Sequence, residues 1–188
     1  NPYAKSYIYL PKNITTMTIR MKYFTAALAM LLLPVSNLFS QVITTNPPFP
    51  TDADSVVVIF DATKGNGELA NVAPPIYAHT GVITNLSSGP SAWRYVIADW
   101  SVNTSKALMT PLGNNLYQIV IKPSVRDFYG VPPSETILQM AFVFRNADGS
   151  KVGRNSDGSD IFANVYPPGV QVNITSPANG SIIELNEM

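Results

Sequence analysis

Two residues that could recognise a ligand share one face of a predicted strand. Tyr77 and His79 lie two positions apart in the stretch PPIYAHTGVIT, and alternate residues of a β-strand point to the same side. His79 is the only histidine of the chain. A strand that served only a core would carry Val, Ile or Leu at these positions. An aromatic ring beside an imidazole instead indicates a surface that stacks on flat apolar groups and hydrogen-bonds to polar ones.

Both tryptophans of the chain follow in the stretch AWRYVIADW, residues 92–100, which its alternation predicts to be the next strand. Trp100 ends this stretch in a polar setting, which predicts exposure, whereas Trp93 fits either a core position or a ligand surface. Sugars present flat C–H patches bordered by hydroxyls, so aromatic rings with nearby polar groups suit them. The candidate ligand-binding rings are therefore Tyr77, His79, Trp93 and Trp100. The alternative is that these rings fill a core.

Other chemistry finds little support in the sequence. The nucleophile elbow of hydrolases, the zinc-protease motif, the P-loop and the dinucleotide fingerprint are all missing, and the chain has no cysteine. A single histidine cannot supply a multi-histidine metal site. Asp148, Asp157 and Asp160 lie near two DGS repeats, where Asp-Gly turns are favoured over a calcium loop. We therefore predict no catalytic residue, no metal and no cofactor in this chain.

The N-terminal part has the layout of an export signal. A lysine follows Met21, a mostly apolar run comes next, and a small residue, Ser40, ends the segment. We predict a signal peptide over residues 21–40, cleaved before Gln41, and a secreted, periplasmic or extracellular protein. Residues 1–20 are interpreted as a disordered upstream extension. From Gln41 onward the chain carries eight basic and twelve acidic residues, which argues against nucleic acid and, after signal cleavage, against a membrane as partner.

The rest of the chain reads as an all-β protein. Sixteen prolines and eleven glycines argue against long helices, and turn signals separate seven to eight short apolar stretches. This pattern predicts an antiparallel immunoglobulin-like β-sandwich over residues 55–168, with one helical turn near residues 126–129. Residues 41–54 are a proline-rich lead-in in this interpretation. Residues 169–188 are interpreted as the start of a truncated second β-domain.

The order of five stretches resembles a known group of modules. VVVIFDA, IYAHTG, a tryptophan, KALMT with GNNLYQIVI, and FVFRNADG are similar to the N-terminal starch-binding modules of secreted α-amylases, carbohydrate-binding module families 25 and 26. The resemblance implies a non-catalytic module that binds an α-glucan and is followed by a catalytic domain of a glycoside hydrolase. It implies Tyr77, His79 and Trp100 as binding rings, with Trp93 as the other candidate tryptophan, and Asn146 and Asp148 as polar partners. The stretches GPSAWRYVIAD and SVRDFYGVPPSE depart from the pattern of these modules.

Two other functions stay open from the sequence. The domain would be a structural immunoglobulin-like spacer without a ligand if its rings were buried. It would help to form the active site of a downstream enzyme if its carboxylates reached that site. Exposed rings on one face favour the glucan-binding hypothesis over the spacer.

Overall fold

The computed structural model describes residues 41–169, which form eight strands and one short helix. The strands are β1 (Ile43–Asn46), β2 (Val56–Asp61), β3 (Ile76–Thr84), β4 (Thr110–Gly113), β5 (Leu116–Ile121), β6 (Ile137–Asn146), β7 (Val152–Gly153) and β8 (Ile161–Asn164), and the helix is α1 (Val125–Tyr129). The predicted signal peptide over residues 21–40, the extension before it and the tail after Gly169 lie outside the described residues. Among the described residues, no helix combines the length and apolar character needed to cross a bilayer.

The strands form two antiparallel sheets. The first sheet has the order β1-β2-β5-β4. In the second, β6 pairs with β3 along one edge and with β7 and β8 along the other. The predicted all-β, antiparallel class is therefore confirmed.

The two sheets enclose one core. Strand β2 alternates between fully and partly buried residues, as expected for a strand with one face against a core. Phe60 of the first sheet stacks on Phe144 of the second, with ring centroids 4.0 Å apart and planes inclined by 18°. Buried Val, Ile and Met side chains from both sheets surround this pair. Each fully buried side chain of this kind contributes about 1.5–3 kcal/mol to folding.

Several predicted elements are confirmed with close boundaries. Strand β3 spans the predicted residues, and Asp148 with Gly149 forms the predicted turn between β6 and β7. Helix α1 is the predicted helical turn. The Ser124 side chain accepts the N–H of Asp127 at its start, and Gly130 ends it in the left-handed conformation.

One predicted strand needs correction. Residues 92–100 do not form a strand, because their backbone contacts with β3 are limited to a single bridge between Arg94 and Val82 and one hydrogen bond from Ile97 to the carbonyl of Thr80. Tyr95 has a φ of 53°, which interrupts the extended conformation right after Arg94. The proline-rich lead-in of residues 41–54 contains β1, which pairs with β2 at the edge of the first sheet.

Candidate functional site

The outer face of the second sheet carries two of the predicted binding residues. Tyr77 and His79 of β3 lie opposite Arg145 and Val143 of β6, on the side turned away from the core. The half-buried state of Tyr77 and His79 shows that something else covers this face.

The cover is the long connection between β3 and β4, residues 85–109. Arg94 and Val82 exchange two backbone hydrogen bonds of 2.8 and 2.9 Å, so the early part of the connection is fixed to the edge of β3. Its last residue, Met109, donates its N–H to the carbonyl of Ile76 at 2.9 Å. The residues between these two anchor points form a loop that carries Trp100 over the sheet.

Gly81 permits this arrangement. A Cβ atom at Gly81 would lie 2.9 Å from the carbonyl oxygen of Arg94 and 3.1 Å from Cγ2 of Val96. Any larger residue would therefore push the connection away from the sheet. The glycine is needed for a close approach of two backbones rather than for an unusual φ.

Three rings meet as a result, those of His79, Trp93 and Trp100. Tyr77 lies on the same face, where Arg145 stands between it and Trp100, and it does not line the pocket described below. We call Tyr77, His79, Trp93 and Trp100 the aromatic cluster. The imidazole of His79 stacks on Trp93 with centroids 5.6 Å apart and planes 25° apart. The same imidazole meets Trp100 edge to face, at 5.1 Å and 75°. The two indoles are therefore steeply inclined to each other, and both contact one imidazole. Trp93 is half-buried, outside the core, and Trp100 is exposed, as predicted.

The sequence matches a family described as a domain of unknown function, DUF8578, over residues 43–152. The chain belongs to the DUF8578 family. No curated protein matches the chain. The DUF8578 match extends from β1 into β7, so it includes the whole aromatic cluster and ends before Arg154 and Asp160.

A buried arginine holds the loop that carries Trp100. Arg145 is only 2% exposed, and its guanidinium lies 5.2 Å from the ring centroid of Tyr77 and 5.9 Å from that of Trp100. Its Nη1 donates to Oδ1 of Asn103 at 2.8 Å, and its Nη2 donates to the carbonyl of Val102 at 3.0 Å. Burial lowers the pKa of Arg145, although the group stays charged because an arginine pKa begins so high. Arg145 thus fixes Trp100 from below.

His79 is neutral near pH 7. Burial is the main cause of its lowered pKa, and the positive charge of Arg145 lowers it further. Asp160 and the backbone of Ala98 act in the opposite direction but more weakly. The N–H of the neutral imidazole is directed to the backbone of Ala98, so its other nitrogen is left to accept a hydrogen bond from a hydroxyl group.

A pocket of about 160 Å³ opens beside the cluster. Its apolar wall is formed by His79, Trp93 and Trp100, and its polar wall by Arg154 and Asp160, with Ser91 and Val143 completing the lining. The ion pair between Arg154 and Asp160 therefore faces the rings across a space the size of one small ring-shaped ligand.

Asn146 and Asp148, the predicted polar partners, do not line this pocket. Oδ1 of Asp148 accepts the backbone N–H of Ser150 at 3.0 Å, and Oδ1 of Asn146 accepts that of Lys151 at 3.0 Å. The hydrogen bonds from the backbone N–H and the hydroxyl of Ser150 lower the pKa of Asp148. The side chains shape the β6–β7 turn, whose Gly149 lies under Trp100: a Cβ there would be 3.3 Å from Nε1 of the indole. Their place in the structure is beneath the cluster, in the turn that supports Trp100.

Glu135 fixes the early part of the connection, around Arg94 and Tyr95. Its carboxylate accepts hydrogen bonds from Arg94 at 2.8 and 3.0 Å, from Tyr95 at 2.6 Å and from Thr84 at 2.9 Å. These partners, the Arg94 guanidinium first, lower the pKa of Glu135 to about 2. Glu135 thereby holds Arg94 and Tyr95, next to Trp93, in place.

Sequence reasoning missed Arg145, Glu135 and Arg154 as contributors to this site. Arg145 alone had a usable signal, because it is a charge inside the apolar run MAFVFRN. The other two are distant from the cluster in sequence. Across residues 41–169, no group of three His, Cys, Asp or Glu side chains is arranged to hold a metal ion.

Proposed function

We propose that the chain is a non-catalytic module that binds α-glucans, such as starch and maltooligosaccharides. The convergence of the aromatic cluster on one outer face, with Trp100 38% exposed, is the observation that carries this proposal. Exposed rings remove the C–H faces of sugars from water. Two indoles at a steep angle suit a curved sugar chain better than a flat one.

The pocket fits this proposal in size and polarity. Its volume of about 160 Å³ is well below the roughly 300–1,000 Å³ of sites for drug-sized ligands, so it suits one sugar ring at a time. An open site of this kind leaves most hydroxyls of the ligand in water. We therefore expect a dissociation constant on the order of 10 μM to 1 mM, which corresponds to roughly −7 to −4 kcal/mol.

The resemblance and the N-terminal sequence supply the context that we propose. The two sheets are proposed to form an immunoglobulin-like sandwich that precedes a glycoside hydrolase domain in a secreted protein. The export-signal layout of residues 21–40 supports secretion. The mature protein is then expected to begin at Gln41 when its N-terminus is sequenced, and a secreted protein that retains Met21 would contradict this cleavage.

A ligand-free spacer has one observation in its favour. His79 already packs against both Trp93 and Trp100, so these rings partly bury each other without a ligand. The exposed part of Trp100 is what a spacer would not need.

Calorimetry and affinity electrophoresis of the full chain test the proposal. We expect maltoheptaose, measured by calorimetry, and amylose, measured by affinity electrophoresis, to bind with dissociation constants in the range given above. Cellohexaose, which has β-linkages and an extended shape, is the matched control and is expected to bind at least several-fold more weakly. Absence of binding to both α-glucans would overturn the proposal and favour the spacer.

A further inference from the structure

The polar wall of the pocket consists of one ion pair from the end of the second sheet. Arg154 directly follows β7 and Asp160 directly precedes β8, so both ends of the same connection meet in front of His79. Nη1 of Arg154 donates to Oδ1 of Asp160. The two side chains are 35% and 23% exposed, so a ligand in the pocket can reach both.

The backbone of this pair is fixed from behind. Asn66 donates its N–H to the carbonyl of Arg154 at 3.0 Å, and its Oδ1 accepts the N–H of Arg154 at 3.2 Å. Gly65 packs so closely that a Cβ there would overlap the carbonyl oxygen of Arg154. On the other side, Nδ2 of Asn155 donates to the carbonyl of Asp160 at 2.8 Å. The pair is thus positioned before a ligand arrives, which lowers the entropic cost of binding.

Much of the hydrogen-bonding capacity of the pair is unused. Among the groups of residues 41–169, none accepts from Nε or Nη2 of Arg154 and none donates to Oδ2 of Asp160. The ion pair of Arg126 and Asp52 is a useful contrast. Arg126 donates from Nε to Asp52 at 3.0 Å and from Nη1 to the carbonyls of Pro132 and Glu135 at 2.7 and 3.0 Å. Arg126 therefore serves the fold, whereas Arg154 keeps donors for something else.

A free guanidinium donor next to a free carboxylate oxygen matches two neighbouring hydroxyl groups. Each hydroxyl both donates and accepts, and charged partners make the stronger hydrogen bonds. Every internal residue of a 1,4-linked glucan has free hydroxyls at the neighbouring carbons C2 and C3. Internal residues of a 1,3-linked glucan lack the free hydroxyl at C3. The pair can therefore distinguish the two linkages even though the stacking rings cannot.

We infer that Arg154 and Asp160 are the specificity-determining residues of the pocket and hydrogen-bond to the 2- and 3-hydroxyls of one 1,4-linked glucose residue stacked on the aromatic cluster. This inference rests on the proposed function. It assigns the rings to affinity and the ion pair to the choice of linkage.

The test compares two tetrasaccharides on the full chain and its variants. Maltotetraose has α-1,4 linkages, and nigerotetraose has α-1,3 linkages. The nigerotetraose is methylated at the 3-hydroxyl of its non-reducing end, so that none of its residues has both the 2- and the 3-hydroxyl free. The indole N–H resonances of Trp93 and Trp100 report binding by NMR, because the chain has only these two tryptophans. The variants are Asp160→Asn and Arg154→Met. Asp52→Asn is the matched control, since it removes an ion pair of the same type away from the pocket.

We expect the parent to prefer maltotetraose and both pocket variants to lose roughly 10-fold of that affinity, the effect of losing a hydrogen bond to a charged group. Their affinity for nigerotetraose should change by less than about 2-fold, and Asp52→Asn should bind as the parent does. Equal losses for both sugars, or no loss, would overturn the inference while leaving the proposed function intact. A parent that binds neither sugar would overturn both. If the melting curve shows Asp160→Asn to be unfolded, Arg154→Met decides by the same criteria.

Discussion

The imidazole of His79 lies against the indole of Trp93, with ring centroids 5.6 Å apart and planes only 25° from parallel. The ring of Trp100 meets the same imidazole edge to face, with centroids 5.1 Å apart. The two contacts remove His79 from water and place it near the cation of Arg145. The protonation state of His79 is therefore coupled to the geometry of the aromatic cluster.

This coupling predicts a pH dependence. Burial lowers the pKa of folded His79 below its ordinary value of 6.5, so the unfolded chain binds this proton more readily than the folded chain. The contribution of His79 to stability is then complete above about pH 6.5 and is lost as the pH falls from there through the lowered pKa. An NMR titration of the single histidine should give a midpoint below 6.5. His79→Asn should lack this part of the pH dependence of the melting temperature, and a midpoint at or above 6.5 would contradict the prediction.

Trp100 should matter for binding and little for folding. Trp100→Ala removes an exposed stacking surface, and we expect it to weaken maltoheptaose binding by about 1–3 kcal/mol. Its melting temperature should stay close to that of the parent, because substitutions of exposed side chains cost little stability. Val120→Ala is the matched control, since Val120 is 39% exposed and belongs to the other sheet. Calorimetry that finds the same affinity for Trp100→Ala and the parent would contradict this role.

Gly81→Ala should loosen the connection that carries both tryptophans. The new methyl would lie 2.9 Å from the carbonyl oxygen of Arg94, so the connection must move outward. Overpacking of this kind costs about 1–3 kcal/mol in the free energy of unfolding. Urea denaturation measures the loss. Gly89→Ala is the control in the same connection, because a Cβ there meets nothing within 4 Å, and equal stability of the two variants would refute the close approach.

Glu135 should make the protein sensitive to acid. Its pKa is lowered to about 2 in the folded state from an ordinary value of 4.5, so its contribution to stability is present above about pH 4.5 and is lost as the pH falls toward 2. Melting temperatures of the parent should decline over this range. Glu135→Gln should melt at a lower temperature near neutral pH and decline less in acid. Asp99→Asn, at an exposed position, is the control, and parallel acid curves for the parent and Glu135→Gln would contradict the assignment.

Local sequence determined much of the sheet structure. The β-branched run of β2, the alternation of β3 and the Asp-Gly turn after β6 depend on interactions between residues close in the chain, so each could be predicted. The shared face of Tyr77 and His79 follows from the two-residue period of a strand alone. Residues 92–100 also alternate, yet they form no strand. Their conformation is set by Glu135 and by the φ of Tyr95, which the alternation does not contain.

The sequence named the four rings, and only the tertiary structure decided how they meet. The sequence did not decide whether Trp93 lies in the core or on a ligand surface, because the position of Trp93 depends on how residues 85–109 cross the sheet. The positions of Arg145, Arg154 and Asp160 relative to His79 depend on pairing between strands that are far apart in the chain. Such contacts come from the global packing of two sheets, and no local period or spacing encodes them. The residue types therefore determined which chemistry the candidate site can perform. Its geometry was determined only by the packing of the two sheets around their core.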